Sequence, residues 1–418
     1  FVTGAGGLAF LAGLILLGLA TGTTRISEIL AQGTALQANA LYLPILTLLL
    51  LGAFTKSAQV PFHFWLPNAM AAPTPVSAFL HSATMVKAGV YLLARMHPAM
   101  AGSEVWFWTL TGFGATTAVF ASVLALRQTD LKQALAYTTL MALGTLVLFL
   151  GQESGYAMTA FATFLIVHSL YKAALFLVVG AIDKATGTRE ATALGGLARV
   201  MPVTAVAAAV AAMSMAGFPP FLGFIGKELK YAGALAVASE PALVAGAVLL
   251  ANALMFAVAG VVAFRPFWRG HTPTTRRVRE VSWPMFAGPV ILAGLGALFG
   301  LYPDLLQRML VTPTVLSLTG EIGEARKLTL WAGVNLPLIL SIATFVLGLA
   351  IYARHTRVRG LLIRVTEVTP SLDRGWDGFM DGLRRGATAL TARIQTGRMT
   401  DYLAVTFTTI AVALGAAM

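Results

Sequence analysis

An all-α, polytopic membrane protein is the fold class this sequence predicts, and three observations carry the prediction. Hydrophobic residues make up 57% of the 418 positions and charged residues only 11%, against about 25% charged in soluble domains. Continuous apolar runs recur at the length, about 20 residues, that a helix needs to cross a hydrocarbon core about 30 Å thick. These runs are rich in Leu, Ala and Gly and do not alternate in polarity, which argues against a membrane β-barrel.

Eleven runs follow one another: 1–20, 40–60, 76–94, 105–126, 133–151, 156–182, 201–235, 242–267, 283–302, 335–353 and 402–418. The stretches between them read as loops. Lys and Arg concentrate after the even-numbered runs, above all in 265–281 and 354–398. By the positive-inside rule those loops are cytoplasmic, which puts Phe1 on the cytoplasmic side and Met418 outside. The formal charge of +12 is thereby explained by topology, and nucleic acid is not an expected partner. Phe1 lies within an apolar run and the last run stops at Met418, so both ends read as cut from a longer chain.

Trp65, Trp106, Trp108, Trp268, Trp283 and Trp331 fall at run ends, as an interfacial aromatic belt requires. Between Trp376 and Ile394, the residues Phe379, Met380, Leu383 and Leu390 continue an apolar face at helical spacing, with Arg384, Arg385 and Arg393 between them. That pattern predicts an amphipathic helix on the cytoplasmic membrane surface.

Several function classes are excluded or unsupported. With no cysteine, the chain holds no disulfide, thiolate-bound zinc or iron–sulfur centre. It has no Gly-x4-Gly-Lys-Ser/Thr phosphate loop and no His-Glu-x2-His pair. No cofactor and no metal are expected.

What remains is a set of charges that an apolar helix does not need. Lys56, Lys87, Lys172 and Lys227 lie within apolar runs, and an ionised lysine at a helix centre costs about 2.5–3.5 kcal/mol on insertion scales. Lys227 is near enough to a broken stretch to snorkel; the others sit deeper, where an intramembrane cation marks an ion path. His81 precedes Lys87 by six residues, about 120° and 9 Å along a regular helix. His168 and Lys172 are spaced i, i+4 on one face, within reach of a one-water proton transfer. An ammonium cannot ligate Na⁺, which needs oxygen donors, so these groups carry protons. Apart from Glu228, no acidic residue lies clearly at membrane depth, and a sodium path is expected elsewhere. His63, His97, His271 and His355 occur in loops or at run ends and are expected to serve packing.

Two runs are interrupted by proline close to these charges, at Lys56 to Pro61 and at Gly217-Phe218-Pro219-Pro220 before Lys227-Glu228. Unwound backbone in a membrane is tolerated where protein or water satisfies it, and paired breaks in two halves point to an ion site. The interrupted runs are the second and the seventh. An odd offset of five reverses direction, which predicts inverted repeats of five transmembrane helices.

Residues 54–91, FTKSAQVPFHFWLPNAMAAPTPVSAFLHSATMVKAGVY, resemble the hallmark stretch of the antiporter-like, proton-conducting subunits shared by respiratory complex I and the multisubunit Na⁺/H⁺ antiporters. So do Asp130-Leu131-Lys132 with Ala136-Tyr137-Thr138-Thr139, and His168-Ser169-Leu170-Tyr171-Lys172. Within that family, Ala181 to Arg189 and Met215 to Pro220 are most similar to the A-type subunits of Mrp antiporters. The resemblance implies that Lys56 is the lysine of a broken helix, paired with a glutamate that precedes Phe1. It implies that His81 and Lys87 form the next helix's relay, His168 and Lys172 the central broken helix, and Lys227 the terminal lysine.

The implied organisation is a first half-channel ending at residue 94, a second over 95–268, further helices over 269–353, a basic and amphipathic segment at 354–401 and a new span from 402. Further helices are implied before Phe1 and after Met418. The implied function is that of a secondary transporter subunit, not an enzyme, in a bacterial cell membrane: proton influx through a Lys/His/water relay drives Na⁺ or another monovalent cation outward, in company with B- to G-type subunits. A proton-pumping subunit of complex I or of a membrane-bound hydrogenase is the alternative.

Overall fold

A computed structural model describes residues 1–270, 272, 278–368, 372–395 and 397–417. His271 and Met418, for which packing and an outside location are expected, lie outside the described residues, as does part of the basic loop after residue 265. Each apolar run folds as helix. In chain order these are α1 (Val2–Thr21), α2 (Tyr42–Lys56), α3 (Ala88–Met100), α4 (Glu104–Arg127), α5 (Leu131–Leu150), α6 (Gly155–Thr186), α7 (Pro202–Ala216), α8 (Leu222–Leu235), α9 (Pro241–Ala259), α10 (Trp283–Leu301) and α11 (Leu336–Ala353), followed by α12 (His355–Val368), α13 (Leu372–Ile394) and α14 (Met399–Ala417). Among the described residues nine helical segments are long and apolar enough to cross a membrane, and the second and seventh runs hold shorter apolar helices, Tyr42–Lys56 and Pro202–Ala216. No strand is present among the described residues.

Residues Phe1–Ile363 form one compact unit and Arg364–Met418 a second. In the first, α5 is the innermost helix: every residue from Thr138 to Leu150 is buried, as a helix apolar on all sides must be. It packs along α4, and the two backbones touch at glycine. A Cβ on Gly144 would stand 2.7 Å from the Gly114 carbonyl and 2.6 Å from the Ala118 nitrogen. Small residues at such crossings let membrane helices approach closely enough for dispersion contacts to hold them. Asp130 caps α5 by accepting from the Lys132 and Gln133 backbone N–H groups at 2.7 and 3.2 Å.

α6 lies against α5, α7, α8 and α10. Ser154 caps its start by accepting from the Ala157 N–H, and Gly187, in left-handed conformation, ends it. The stretch after the ninth run, read as a loop, is helical through residue 319. Its buried residues Leu306, Val311, Val315 and Leu318 are spaced five, four and three apart. The five-residue step coincides with a π turn at Gln307–Val311, which keeps one face on α6 and α3.

Two tryptophans depart from the expected belt. Trp106 is wholly buried and donates from Nε1 to the Leu150 carbonyl at 2.7 Å; Trp65 is half-buried and donates to the Thr55 carbonyl at 3.0 Å. Both indoles satisfy helix-end carbonyls inside the protein, whereas Trp108, Trp268, Trp283 and Trp331 are exposed. In the second unit the periodicity over 376–394 is realised as the helix α13, with Phe379, Leu383, Leu390 and Ile394 exposed.

The α4–α5 crossing generates a prediction. Gly144→Ala lowers the thermal unfolding midpoint in detergent, at a cost of about 1–3 kcal/mol typical of overpacking. Gly246→Ala, where a Cβ meets nothing within 4 Å, leaves the midpoint unchanged or slightly raised.

Candidate functional site

The helical period places Leu165, Ser169, Lys172 and Phe176 on one face of α6, and Phe164, Val167 and Tyr171 on the next, with His168 between them. No proline, and no glycine between Gly155 and Gly180, interrupts this stretch, and α6 runs unbroken from 155 to 186. The implied break at His168 and Lys172 is therefore corrected: both sit on a continuous helix.

The break falls instead in the third run. A short helix, Thr74–Ala78, passes into a π turn at Phe79–Ala83 and a 3-10 turn at Met85–Lys87 before α3 begins. His81 and Lys87 are thus not related by the 120° and 9 Å of a regular helix. Side chains take up backbone groups that the irregular turns release: Ser82 Oγ donates to the Ala78 carbonyl, and Lys87 Nζ donates to the Ser82 carbonyl at 2.6 Å.

This interrupted segment delivers its two titratable groups to the first face of α6. Lys87 Nζ also donates to Ser169 Oγ and to the Leu165 carbonyl at 3.3 Å. The His81 ring stacks on Phe176 with centroids 4.9 Å apart. Lys172 Nζ stands 6.0 Å from the same Phe176 ring. It donates to the Leu135 carbonyl at 2.8 Å and to Thr138 Oγ1, both on α5. His81, Lys87 and Lys172 therefore gather between Leu165 and Phe176, about 16 Å of helix. His168 is edge-on to Tyr171. Both ring nitrogens of His81 and of His168 are buried without a protein hydrogen-bond partner.

The second proline break lies across α6. Gly217 closes α7 in left-handed conformation, Phe218 N–H donates to the Met213 carbonyl at 2.9 Å, and Pro219 and Pro220 precede α8. A Cβ on Gly223 would fall 1.6 Å from the Ser214 carbonyl oxygen, so the start of α8 can meet the end of α7 only as glycine. Lys227 is buried, and its Nζ has no hydrogen-bond partner but rests 3.4 Å from the Phe345 ring centroid. Its neighbour Glu228 accepts from Ser341 Oγ, one turn before Phe345 on α11.

At the first proline break, Ser57 Oγ accepts from the Val90 N–H at 3.0 Å, and the Val60 N–H donates to Thr117 Oγ1 at 3.1 Å ahead of Pro61. Lys56 is half-buried at the end of α2. Among the described residues no hydrogen bond or ion pair joins Lys56 to the other candidates.

Two cavities adjoin the set. One, of about 650 Å³, is lined by Lys87, Thr84, Tyr91, Arg95, Ser169 and Thr314. The other, of about 620 Å³, is lined by Glu228, Arg326, Lys327 and Asn335. Among the described residues no group of acidic or histidine side chains is arranged to hold a metal.

The remaining histidines have packing surroundings. His63 lies edge-on to Phe120 at 5.0 Å, and His97 meets the Gln152 and Leu318 carbonyls at 2.9 and 3.2 Å. Outside the spans, burial and then the Arg265 guanidinium hold the His355 imidazole below its ordinary pKa, so its Nε2 accepts from Arg265 and its Nδ1 donates to the Tyr352 carbonyl.

Sequence reasoning missed two buried lysines. Lys132 donates to the Ala72 carbonyl at 2.6 Å; it stands in a quoted motif but just outside a run. Lys230 donates to Asn252 Oδ1 at 2.5 Å, and its signal was present in its position within the seventh run, three residues after Lys227.

A polytopic helical membrane protein with a file of buried amines and imidazoles along one central helix is the class that fold and site define. The chain belongs to the NADH:quinone oxidoreductase/Mrp antiporter transmembrane family, whose model matches residues 1–254. It is similar to the A-type subunit of a Na⁺/H⁺ antiporter from Alkalihalophilus pseudofirmus, at 37% identity over 448 residues covering 100% of this chain and 55% of that protein. It is also similar to a probable A/B-type subunit of a K⁺/H⁺ antiporter from Rhizobium meliloti, at 41% identity over 360 residues covering 84% of this chain and 36% of that protein. In structure it resembles a chain of the Mrp complex from Dietzia sp. DQ12-45-1b, with a TM-score of 0.85 and 36% identity over 100% of this chain and 46% of that one. The chain thus spans about half the length of the relatives first matched.

The cavity beside Lys87 is open to test because the chain has no native cysteine. Thr84→Cys and Thr314→Cys react with a water-soluble maleimide in reconstituted protein, while Thr163→Cys, fully buried in α6, does not. Equal protection of all three would show the cavity to be dry.

Proposed function

We propose that this chain is the proton-translocating part of an A-type subunit of a multisubunit monovalent cation/proton antiporter. The observation that carries the reading is the convergence of Lys87, His81, His168 and Lys172 on α6, between a cavity at Lys87 and another at Glu228. Lysine and imidazole both bind and release hydrogen ions, and none of these groups offers the oxygen cage that Na⁺ requires. Hydroxyls at Ser169 and Thr138 accept from the Lys87 and Lys172 amines and supply the short steps along the file. Lys227 and Glu228 continue it toward the second cavity, and Lys56 feeds it from the first half-channel. The partition into half-channels at 1–94 and 95–268 belongs to the same proposal.

In this reading the chain is a secondary transporter subunit in a bacterial cell membrane, not an enzyme. It works with further membrane subunits, and inward proton flow drives Na⁺ or another monovalent cation outward. The names of the relatives favour the antiporter over the redox-driven pump, and their mention of both Na⁺ and K⁺ leaves the cation to be set beyond this file.

The test is exchange in vesicles containing the intact assembly. Lys56→Met and Lys172→Met abolish Na⁺-dependent dissipation of ΔpH while the subunits still co-purify. Normal exchange in both variants refutes the relay.

A further inference from the structure

Lys230 is a buried amine that the relay as read from the sequence does not use. It lies one turn beyond Lys227 on α8, on the same helix face, and only 2% of it is exposed. Its Nζ sits 4.1 Å from the Phe164 ring centroid on α6 and donates to Asn252 Oδ1 on α9.

The orientation of Asn252 follows from the hydrogen bonds behind it. Thr344 Oγ1 donates to the Leu340 carbonyl at 2.9 Å and therefore accepts from the Tyr231 hydroxyl. The Tyr231 oxygen in turn accepts from Asn252 Nδ2 at 3.2 Å. Asn252 thus presents its carbonyl oxygen to Lys230. This chain pins one amine hydrogen and leaves the amine lining a small void of about 10 Å³, about the space one water needs. Lys227 lines the same void, as do Phe164, Val167 and Tyr171, the α6 residues around His168. Lys227 Nζ has no hydrogen-bond partner of its own.

We propose that Lys230 is an additional proton carrier between His168 and Lys227, exchanging a hydrogen ion with Lys227 through one water in the shared void, with Asn252 as its positioning residue. The inference rests on the proton-translocation reading above. In the transfer, the Lys230 ammonium gives a proton to the water, and the water gives one of its own to the neutral Lys227 amine. Lys230 ends as the amine and Lys227 as the ammonium, with no change of oxidation state. Two ammonium groups facing each other across a single water in a low-dielectric surrounding repel strongly, so the pair favours one excess proton at a time.

The test separates a carrier from a fixed charge. Arginine keeps the charge and the ring contact but does not release its proton. In the intact assembly in vesicles, Lys230→Arg and Lys230→Met both cut the exchange rate about a hundredfold or more, the range that losing a proton-transfer group produces, while the subunits co-purify. Asn252→Ala lowers the maximal rate and leaves the KM for Na⁺ unchanged. Wild-type exchange in Lys230→Arg would make the residue a fixed charge and overturn the proposal. Wild-type exchange in Lys230→Met, or a raised KM at full rate in Asn252→Ala, would overturn the assigned roles. If Lys230→Met fails to assemble, Lys230→Arg decides. Lys172→Met and Lys227→Met serve as reference: if they are inactive and Lys230→Met is active, this inference alone fails, whereas normal exchange in all of them removes the relay and this inference with it.

Discussion

An amine buried at membrane depth has no bulk water to donate to, so every such group must find an acceptor inside the protein or remain exchangeable. The acceptors found here are neutral. Lys87 donates to the Ser82 and Leu165 carbonyls and to a serine hydroxyl, Lys132 to the Ala72 carbonyl, Lys172 to the Leu135 carbonyl and a threonine hydroxyl, and Lys230 to an asparagine oxygen. Among the described residues no ion pair joins any of them to a carboxylate. A buried carboxylate would hold the ammonium charged and would itself be stranded if the proton left. A carbonyl or hydroxyl holds the amine in place in either protonation state, which a group that must load and unload requires.

The interrupted backbone is the structural complement of this choice. Irregular turns at 79–87 release carbonyls that a regular helix would use internally, and Lys87 takes one of them. The end of the 3-10 turn before Thr74 does the same for Lys132 through Ala72. α6 can then remain continuous, and it serves as the rigid rod against which broken segments from both sides present their charges. The packing around α6 is tied down by distant contacts. Asp130 at the start of α5 pairs with Arg189 beyond α6 at 3.0 Å, joining two of the motifs that carry the family resemblance.

Much of this was legible in the sequence because it depends on local properties. Run length and hydropathy located a helix in each of the eleven apolar runs but not the helical stretch over 303–319, and proline marked the breaks at Pro61 and at Pro219 and Pro220. The cost of burying charge singled out Lys87 and Lys172. Other features were hidden because their cause is not local. Nothing in residues 79–87 resembles a proline break; the π and 3-10 turns there exist where their side chains meet α6. His81 and Lys172 are far apart in the chain and share a ring, Phe176, that carries no polar signal. Trp106 has the sequence position of a lipid-facing anchor, yet packing between α4 and the end of α5 buries it.

The sequence by itself determined which segments are apolar enough to form membrane helices, where two of them break and which residue types carry charge into them, because hydrophobic transfer and the backbone limits of proline act on each segment separately. Tertiary structure decided which oxygen each amine reaches, that Lys230 shares a void with Lys227, and that α6 stays whole. Those outcomes depend on the angle and depth at which helices meet, which arise from close packing among residues distant in the chain.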